Sequence, residues 1–157
     1  MPRKKKKMKR FHNLDVNLGD KLLSKFVNII MKDGKKSVAE KIVYSALDTA
    51  CKRLGEDSIK VFKRALENVK PQVEVRSRRV GGSNYQVPMD VRSERRLSLG
   101  LRWLRDGALA RGEKKMASSL AIEIYEAYLG RGSAVKRKDE AHKAADSNRA
   151  YAHLKWQ

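Results

Sequence analysis

The sequence predicts a mainly α protein: a bundle of about six helices, a protruding two-stranded β-hairpin arm and basic terminal extensions. Apolar residues recur at helical spacing in five separate stretches. Residues 73–91 instead alternate like paired strands around Gly81-Gly82-Ser83-Asn84, a hairpin signal. Cations gather at both ends of the chain. The 157 residues fit one domain over 1–157 and suffice for a real core.

Residues 1–13 read as a basic N-terminal arm. The first ten hold seven cations and no acid. That composition predicts disorder until an anion binds. Leu18, Leu22, Leu23, Phe26, Val27 and Ile30 mark a first helix, ended by Asp33-Gly34. Val38, Ala39, Ile42, Val43, Ala46, Leu47 and Ala50 mark a second, stopped at Gly55. Asp57 or Ser58 is placed to cap a third, whose stripe is Ile59, Phe62, Ala65, Leu66 and Val69. Pro71 then forces the chain out of helix.

The arm spans residues 72–91. Val73, Val75, Val87 and Met89 sit near its base, and Arg76, Arg78 and Arg79 lie toward its tip. Seven residues at about 3.3 Å each would carry it roughly 20 Å outward. Three arginines in four positions exceed what solubility requires and point to an anionic target. Asp90 or Ser93 is placed to cap a fourth helix bearing Leu97, Leu101, Leu104 and Ala108. Met116, Leu120, Ala121, Ile124, Tyr125 and Tyr128 mark a fifth. Residues 131–157 read as a basic C-terminal helix and tail. The helix is alanine-rich, with Val135 its one larger aliphatic, so its order is expected to depend on a partner.

Lys plus Arg total 37 against 18 acids, a formal net charge of +19. A compact chain with that charge repels itself unless a polyanion neutralises it. Nucleic acid is the first candidate and an anionic membrane surface the second. No apolar run is long enough to span a bilayer, and no secretory signal follows the basic start. Cys51 is the single cysteine, which excludes an internal disulfide and suits a reducing compartment. It falls on the apolar side of the second helix, so a buried structural thiol is expected.

Helix dipoles favour anions at N-termini, yet cations crowd four helix starts here. They are Lys35 and Lys36; Arg92, Arg95 and Arg96; Lys114 and Lys115; and Arg131, Lys136, Arg137 and Lys138. Four such starts favour phosphate binding over cations that merely reach into water. Tyr85 in the arm and Tyr151, His153 and Trp156 in the tail sit near cations, as base-stacking aromatics do. Plain packing is the alternative, and Trp103 is expected at the core edge.

Nothing indicates an enzyme. Gly34-Lys35-Lys36-Ser37 lacks the glycine and the hydroxyl residue that a phosphate-binding NTPase loop needs. The three histidines are far apart and have no cysteine partner, so no metal site is expected. No cofactor or small-molecule substrate is implied. An architectural DNA binder would want a wedge at the arm's tip, which Gly81-Gly82-Ser83-Asn84 lacks. A membrane binder would concentrate charge on one amphipathic helix. Charge spread over arm, helix starts and tails suits a folded RNA.

The same residues carry a resemblance. Met31-Lys32-Asp33-Gly34-Lys35-Lys36-Ser37, Glu74-Val75-Arg76-Ser77-Arg78-Arg79-Val80-Gly81-Gly82 with Tyr85-Gln86-Val87-Pro88, Arg95-Arg96, Lys136-Arg137-Lys138-Asp139 with His142-Lys143, and Asn148-Arg149-Ala150-Tyr151-Ala152-His153 occur in that order. Together they resemble the bacterial-type ribosomal protein seven family of the small subunit over nearly the whole chain. The lysine run at the start departs from the family's usual pattern, as does an ending at Gln157 without the longer tail some members carry. The resemblance implies a cytoplasmic, structural rRNA-binding protein. It implies contact with the 3′ major (head) domain of small-subunit rRNA, a part in nucleating head assembly, and neighbours among the ribosomal proteins of head and platform. Its implied rRNA ligands are Arg3, Lys4, Lys5, Lys6, Lys7, Arg10, Lys35, Lys36, Arg76, Arg78, Arg95 and Arg96. Arg79, Gly81, Gly82, Tyr85, Arg149 and Trp156 would face exit-site tRNA or mRNA.

Overall fold

The computed structural model describes residues 20–155. The basic segment 1–13, Leu18 and Trp156 lie outside the described residues. Six α-helices and one hairpin follow in the order α1 (Lys21–Ile30), α2 (Lys36–Leu54), α3 (Ser58–Val69), β1 (Val73–Val80), β2 (Ser83–Asp90), α4 (Ser93–Ala110), α5 (Met116–Tyr128) and α6 (Ser133–Ser147). A 3-10 segment, Arg149–Leu154, closes the described chain.

The helices form where the apolar spacing requires them. Asp20 caps α1, its carboxylate accepting the Leu22 amide at 2.7 Å. Leu23, Phe26, Val27 and Ile30 then face inward. Phe26 meets Phe62 of α3 with ring centroids 5.2 Å apart. Gly55 ends α2 at φ 70°, a left-handed stop that glycine adopts without a Cβ penalty. Helix α5 is the hub, packed on α2, α3 and α4. Leu120, Ile124 and Ala127 are fully buried there, beside Leu104 of α4. Truncating Leu104 or Ile124 to Ala should cost about 2–5 kcal/mol.

Four local expectations are corrected by packing. Neither Asp90 nor Ser93 caps α4: Arg92 holds the cap position and supplies no side-chain bond. Asp57 does precede α3 as its cap residue, again without a side-chain bond. Cys51 is only half-buried, and burial, aided by Asp48 and Asp57, pushes its thiol pKa up. The fourth correction concerns α6, which has a bed in its own chain. Ala134, Val135 and Ala145 are buried, and the helix lies against β1 and α4. Lys138 Nζ donates to the Asn68 carbonyl at 2.9 Å, and the Gln72 amide donates to His142 Nε2 at 3.0 Å. Alanines bury little area each, but they let backbones approach closely.

The hairpin turn is tighter than the four-residue Gly81-to-Asn84 reading. Val80 pairs with Ser83, leaving a two-residue turn. Gly81 and Gly82 take φ values of 56° and 89°, which only glycine adopts cheaply in succession. Ser83 and Asn84 already belong to β2.

Candidate nucleic-acid interface

The arm's alternation divides its arginines. Arg76 and Arg78 share one face with their partners Val87 and Tyr85, while Arg79 shares the other with Asn84. The two faces have different surroundings. Arg78 is half-buried, and its Nη1 donates to the Leu154 carbonyl of the 3-10 segment. Tyr85 lies against Tyr151, with ring centroids 5.3 Å apart and planes at 51°. Lys155 Nζ reaches Asp90 at 3.4 Å. The C-terminal segment therefore lies along the arm, and the two present one surface. On the opposite face Ser77, Arg79, Asn84 and Gln86 are exposed, next to the exposed tip glycines.

Glu74 anchors the arm to α4. Its carboxylate accepts Arg76 Nε at 2.6 Å and Arg95 Nε at 2.8 Å. Two guanidiniums share one acid, so the junction keeps a net positive charge. Arg96 turns inward, its Nε donating to the Val91 carbonyl at 3.0 Å. Arg92 is exposed and makes no side-chain bond with any described residue. Arg102, exposed and likewise without such a bond, lines a shallow surface groove with Arg95, Ser98 and Glu94. It stands seven residues, two helical turns, from Arg95. That spacing carries the signal for it, although the count of cations at helix starts passes over it.

The other helix starts differ from one another. Lys35 and Lys115 occupy the cap positions of α2 and α5 without side-chain caps. Lys114 and Lys115 are exposed and unpaired among the described residues. Lys36 pairs loosely with Glu40 at 3.6 Å. At α6 the expected anion site is already filled from within. The buried Glu123 carboxylate accepts the Ala134 amide at 2.8 Å and the Ser133 hydroxyl at 3.2 Å. Arg111 supplies the countercharge, at 2.7 Å to Glu123 and in a close pair with Glu126. Burial works against the Arg111 charge, but the two carboxylates outweigh it and raise its pKa. Gly107 and Gly132 leave room for the acid, since a Cβ at either would lie within about 3 Å of its oxygen. Sequence reasoning misses Glu123, because nothing local distinguishes it from a solvated acid.

Around α6, Arg137 pairs with Asp106 at 3.2 Å and stands 5.8 Å from the Trp103 ring. Trp103 is half-buried and packs on the core, as its expected edge position requires. Lys138 is committed to Asn68. Arg131, Lys136 and Arg149 are exposed and unpaired among the described residues. No cluster of metal-ligating side chains occurs among the described residues, and no described helix is long and apolar enough to cross a membrane.

A helical body with a glycine-tipped basic arm, and with the motifs in the order given above, is matched across the chain. The family described as ribosomal protein S7p/S5e matches residues 2–149. The chain belongs to that family. It is 52% identical to small ribosomal subunit protein uS7 of Geotalea uraniireducens, over 99% of this chain and 100% of that one. It is 54% identical to the protein of the same name from Photobacterium profundum, with the same coverage. The match is to bacterial-type members. The S7p/S5e family is a ribosomal protein family and not an enzyme family.

Proposed function

We propose that this chain binds the 3′ major (head) domain of small-subunit rRNA and helps to nucleate assembly of the head. Its arm and C-terminal segment then lie toward exit-site tRNA and mRNA. The chain is a structural constituent of the small ribosomal subunit, working in the cytoplasm with rRNA and neighbouring ribosomal proteins.

The single observation that carries the RNA-binding surface is the dispersal of unpaired cations. Arg79, Arg92, Arg102, Lys114, Lys115, Arg131, Lys136 and Arg149 are exposed, without partners among the described residues, on the arm, three helices and the tail. A protein keeps cations unpaired on several sides when phosphates approach from several sides. Lys35 and Lys36 add to this set, and Arg76, Arg78, Arg95 and Arg96 hold the arm and α4 in register beneath it. Residues 1–13, with Arg3, Lys4, Lys5, Lys6, Lys7 and Arg10, supply further phosphate contacts. The exposed face bearing Arg79, beside Gly81 and Gly82, is the one offered to tRNA or mRNA. Tyr85, engaged with Tyr151, supports that face from behind, and Arg149 and Trp156 are further candidates for contact with tRNA or mRNA.

The test replaces Arg92, Arg102 and Lys115 by Ala together and measures binding to head-domain rRNA. Affinity should fall by well over tenfold, and the salt dependence should flatten, with the melting temperature unchanged. Unchanged affinity would overturn the assignment. Deleting residues 81–84 should spare rRNA binding and speed loss of exit-site tRNA from reconstituted subunits; normal tRNA release would count against the placement of the tip.

A further inference from the structure

The bend between α3 and the arm is held from both sides by one element. Had α3 continued past Val69, the Asn68 carbonyl would have accepted the Gln72 amide four residues on. Pro71 lies between them and turns the chain out of the helix, so that bond is never made. Helix α6 takes up both halves of it. Lys138 Nζ donates to the Asn68 carbonyl at 2.9 Å, and His142 Nε2 accepts the Gln72 amide at 3.0 Å. Lys138 and His142 stand four residues apart, on one face of α6.

We propose that His142, assisted by Lys138, is a positioning residue that sets the angle of the arm on the helical body. Gln72 is the residue through which it acts. The Gln72 amide faces His142, while the Gln72 carbonyl accepts the Val91 amide at 2.9 Å and closes the base of the hairpin. Holding that one residue holds both strands where they leave the body. The brace is itself fixed. Glu123 holds the start of α6 through the Ala134 amide, and Ala134, Val135 and Ala145 are buried beneath the helix. Asn68 ties the bend to the end of α5, its Nδ2 donating to the Ala127 and Tyr128 carbonyls at 2.9 and 3.0 Å. Past α6, the 3-10 segment continues the brace along β2.

The other anchor at the base is softer. Glu74 meets Arg95 of α4 through two flexible side chains, the arginine about half exposed. The bond to His142 starts from the backbone and fixes the path of the chain itself. The amide can only donate, so the ring proton lies on Nδ1 and Nε2 accepts. Small angles matter at this bend. The eight residues of β1, at about 3.3 Å each, make an arm of about 26 Å, so a swing of about 10° moves the tip by roughly 5 Å. That distance takes Arg79 out of reach of any one hydrogen-bond acceptor. The consequence for tRNA or mRNA contact rests on the proposed placement of the arm; the aiming of the arm does not.

The experiment measures spin-label distances in the full chain, between Ser83→Cys at the tip and Ser45→Cys on the exposed side of α2, in a Cys51→Ala background. His142→Leu keeps bulk and removes the acceptor. It should widen the distance distribution by about 5 Å relative to the parent, with the melting temperature lower by a few degrees at most. His142→Gln, whose side-chain oxygen can accept in place of Nε2, should restore the parent width. Equal widths in the three proteins would overturn the proposal and leave the two bonds as caps on stray backbone groups. A widening that His142→Gln fails to reverse, or collapse of the whole fold in His142→Leu, would overturn it too. In reconstituted subunits His142→Leu should speed loss of exit-site tRNA while binding to head-domain rRNA holds. Normal tRNA release beside a widened distribution would overturn the placement of the arm toward tRNA and leave its aiming by His142 standing.

Discussion

Tyr85 of the arm and Tyr151 of the 3-10 segment face each other at 5.3 Å between ring centroids. This contact, with Arg78 held by the Leu154 carbonyl, joins two parts of the chain that are 66 residues apart in sequence. Replacing Tyr151 by Ala should cost about 0.5–1.5 kcal/mol beyond the lost area. The effect should be local: amide hydrogen exchange should rise across residues 149–155 and along the outer part of β2, with the helical core unchanged. Unaltered exchange there would mean that the tail is held by other contacts.

Glu123 should be the costliest polar side chain to remove. It is fully buried, caps α6 and balances Arg111. Glu123→Ala leaves the Ala134 amide without its acceptor and Arg111 with Glu126 alone, and should lose about 1–3 kcal/mol in urea unfolding. Glu123→Gln keeps an oxygen for the Ala134 amide and should lose less. Equal losses for the two variants would show that volume, rather than the capping oxygen, sets the cost.

The tip glycines should resist replacement for backbone reasons alone. No atom lies within 4 Å of a Cβ built at Gly81 or Gly82, so the space is open. Their positive φ values still penalise any L-residue by roughly 1–2 kcal/mol each. Gly82→Val should therefore loosen the hairpin in exchange measurements and leave the melting temperature of the bundle within a degree or two. A cooperative loss of the whole fold would show that the arm is not an independent local unit.

Acid should weaken the start of α1. At Asp20 burial acts to raise the carboxyl pKa, but the bonds from Lys63 and the Leu22 amide outweigh it and hold it below the usual range. A pKa lowered on folding contributes stability above the unfolded value, about 3.9. That contribution is lost as pH falls through the folded value. Asp20→Ala should thus cost about 1 kcal/mol near neutrality. The gap from the parent protein should narrow as pH falls below the unfolded value and through the lower folded one. A gap that stays constant with pH would exclude the ionised carboxylate as its source.

Much of the bundle was legible because its stripes are built from large side chains. Phe26, Leu47, Phe62, Leu104 and Ile124 announce buried faces at helical spacing. The α6 docking face was not, because Ala134 and Ala145 look like neutral helix formers until β1 and α4 are beside them. The arm's extent followed from alternation, and its glycines marked the turn. The distribution of its charges did not follow, since Glu74 holds Arg76 beside it and Arg95 from 21 residues further along the chain. Cations at helix starts pointed to a surface as a whole. They could not distinguish α5, where Lys114 and Lys115 are unpaired, from α6, where Glu123 fills the site from a neighbouring helix.

On the proposed reading, the folded body presents its dispersed cations in the shape of one RNA. Salt-titrated binding with three competitors tests it most directly: head-domain rRNA, an unrelated structured RNA and duplex DNA. With about 6–10 phosphate contacts, affinity should fall some 10³–10⁵-fold between 50 and 200 mM salt. Preference for the head RNA should survive at moderate salt. Equal binding to all three, lost together as salt rises, would contradict it and leave charge alone as the driving force.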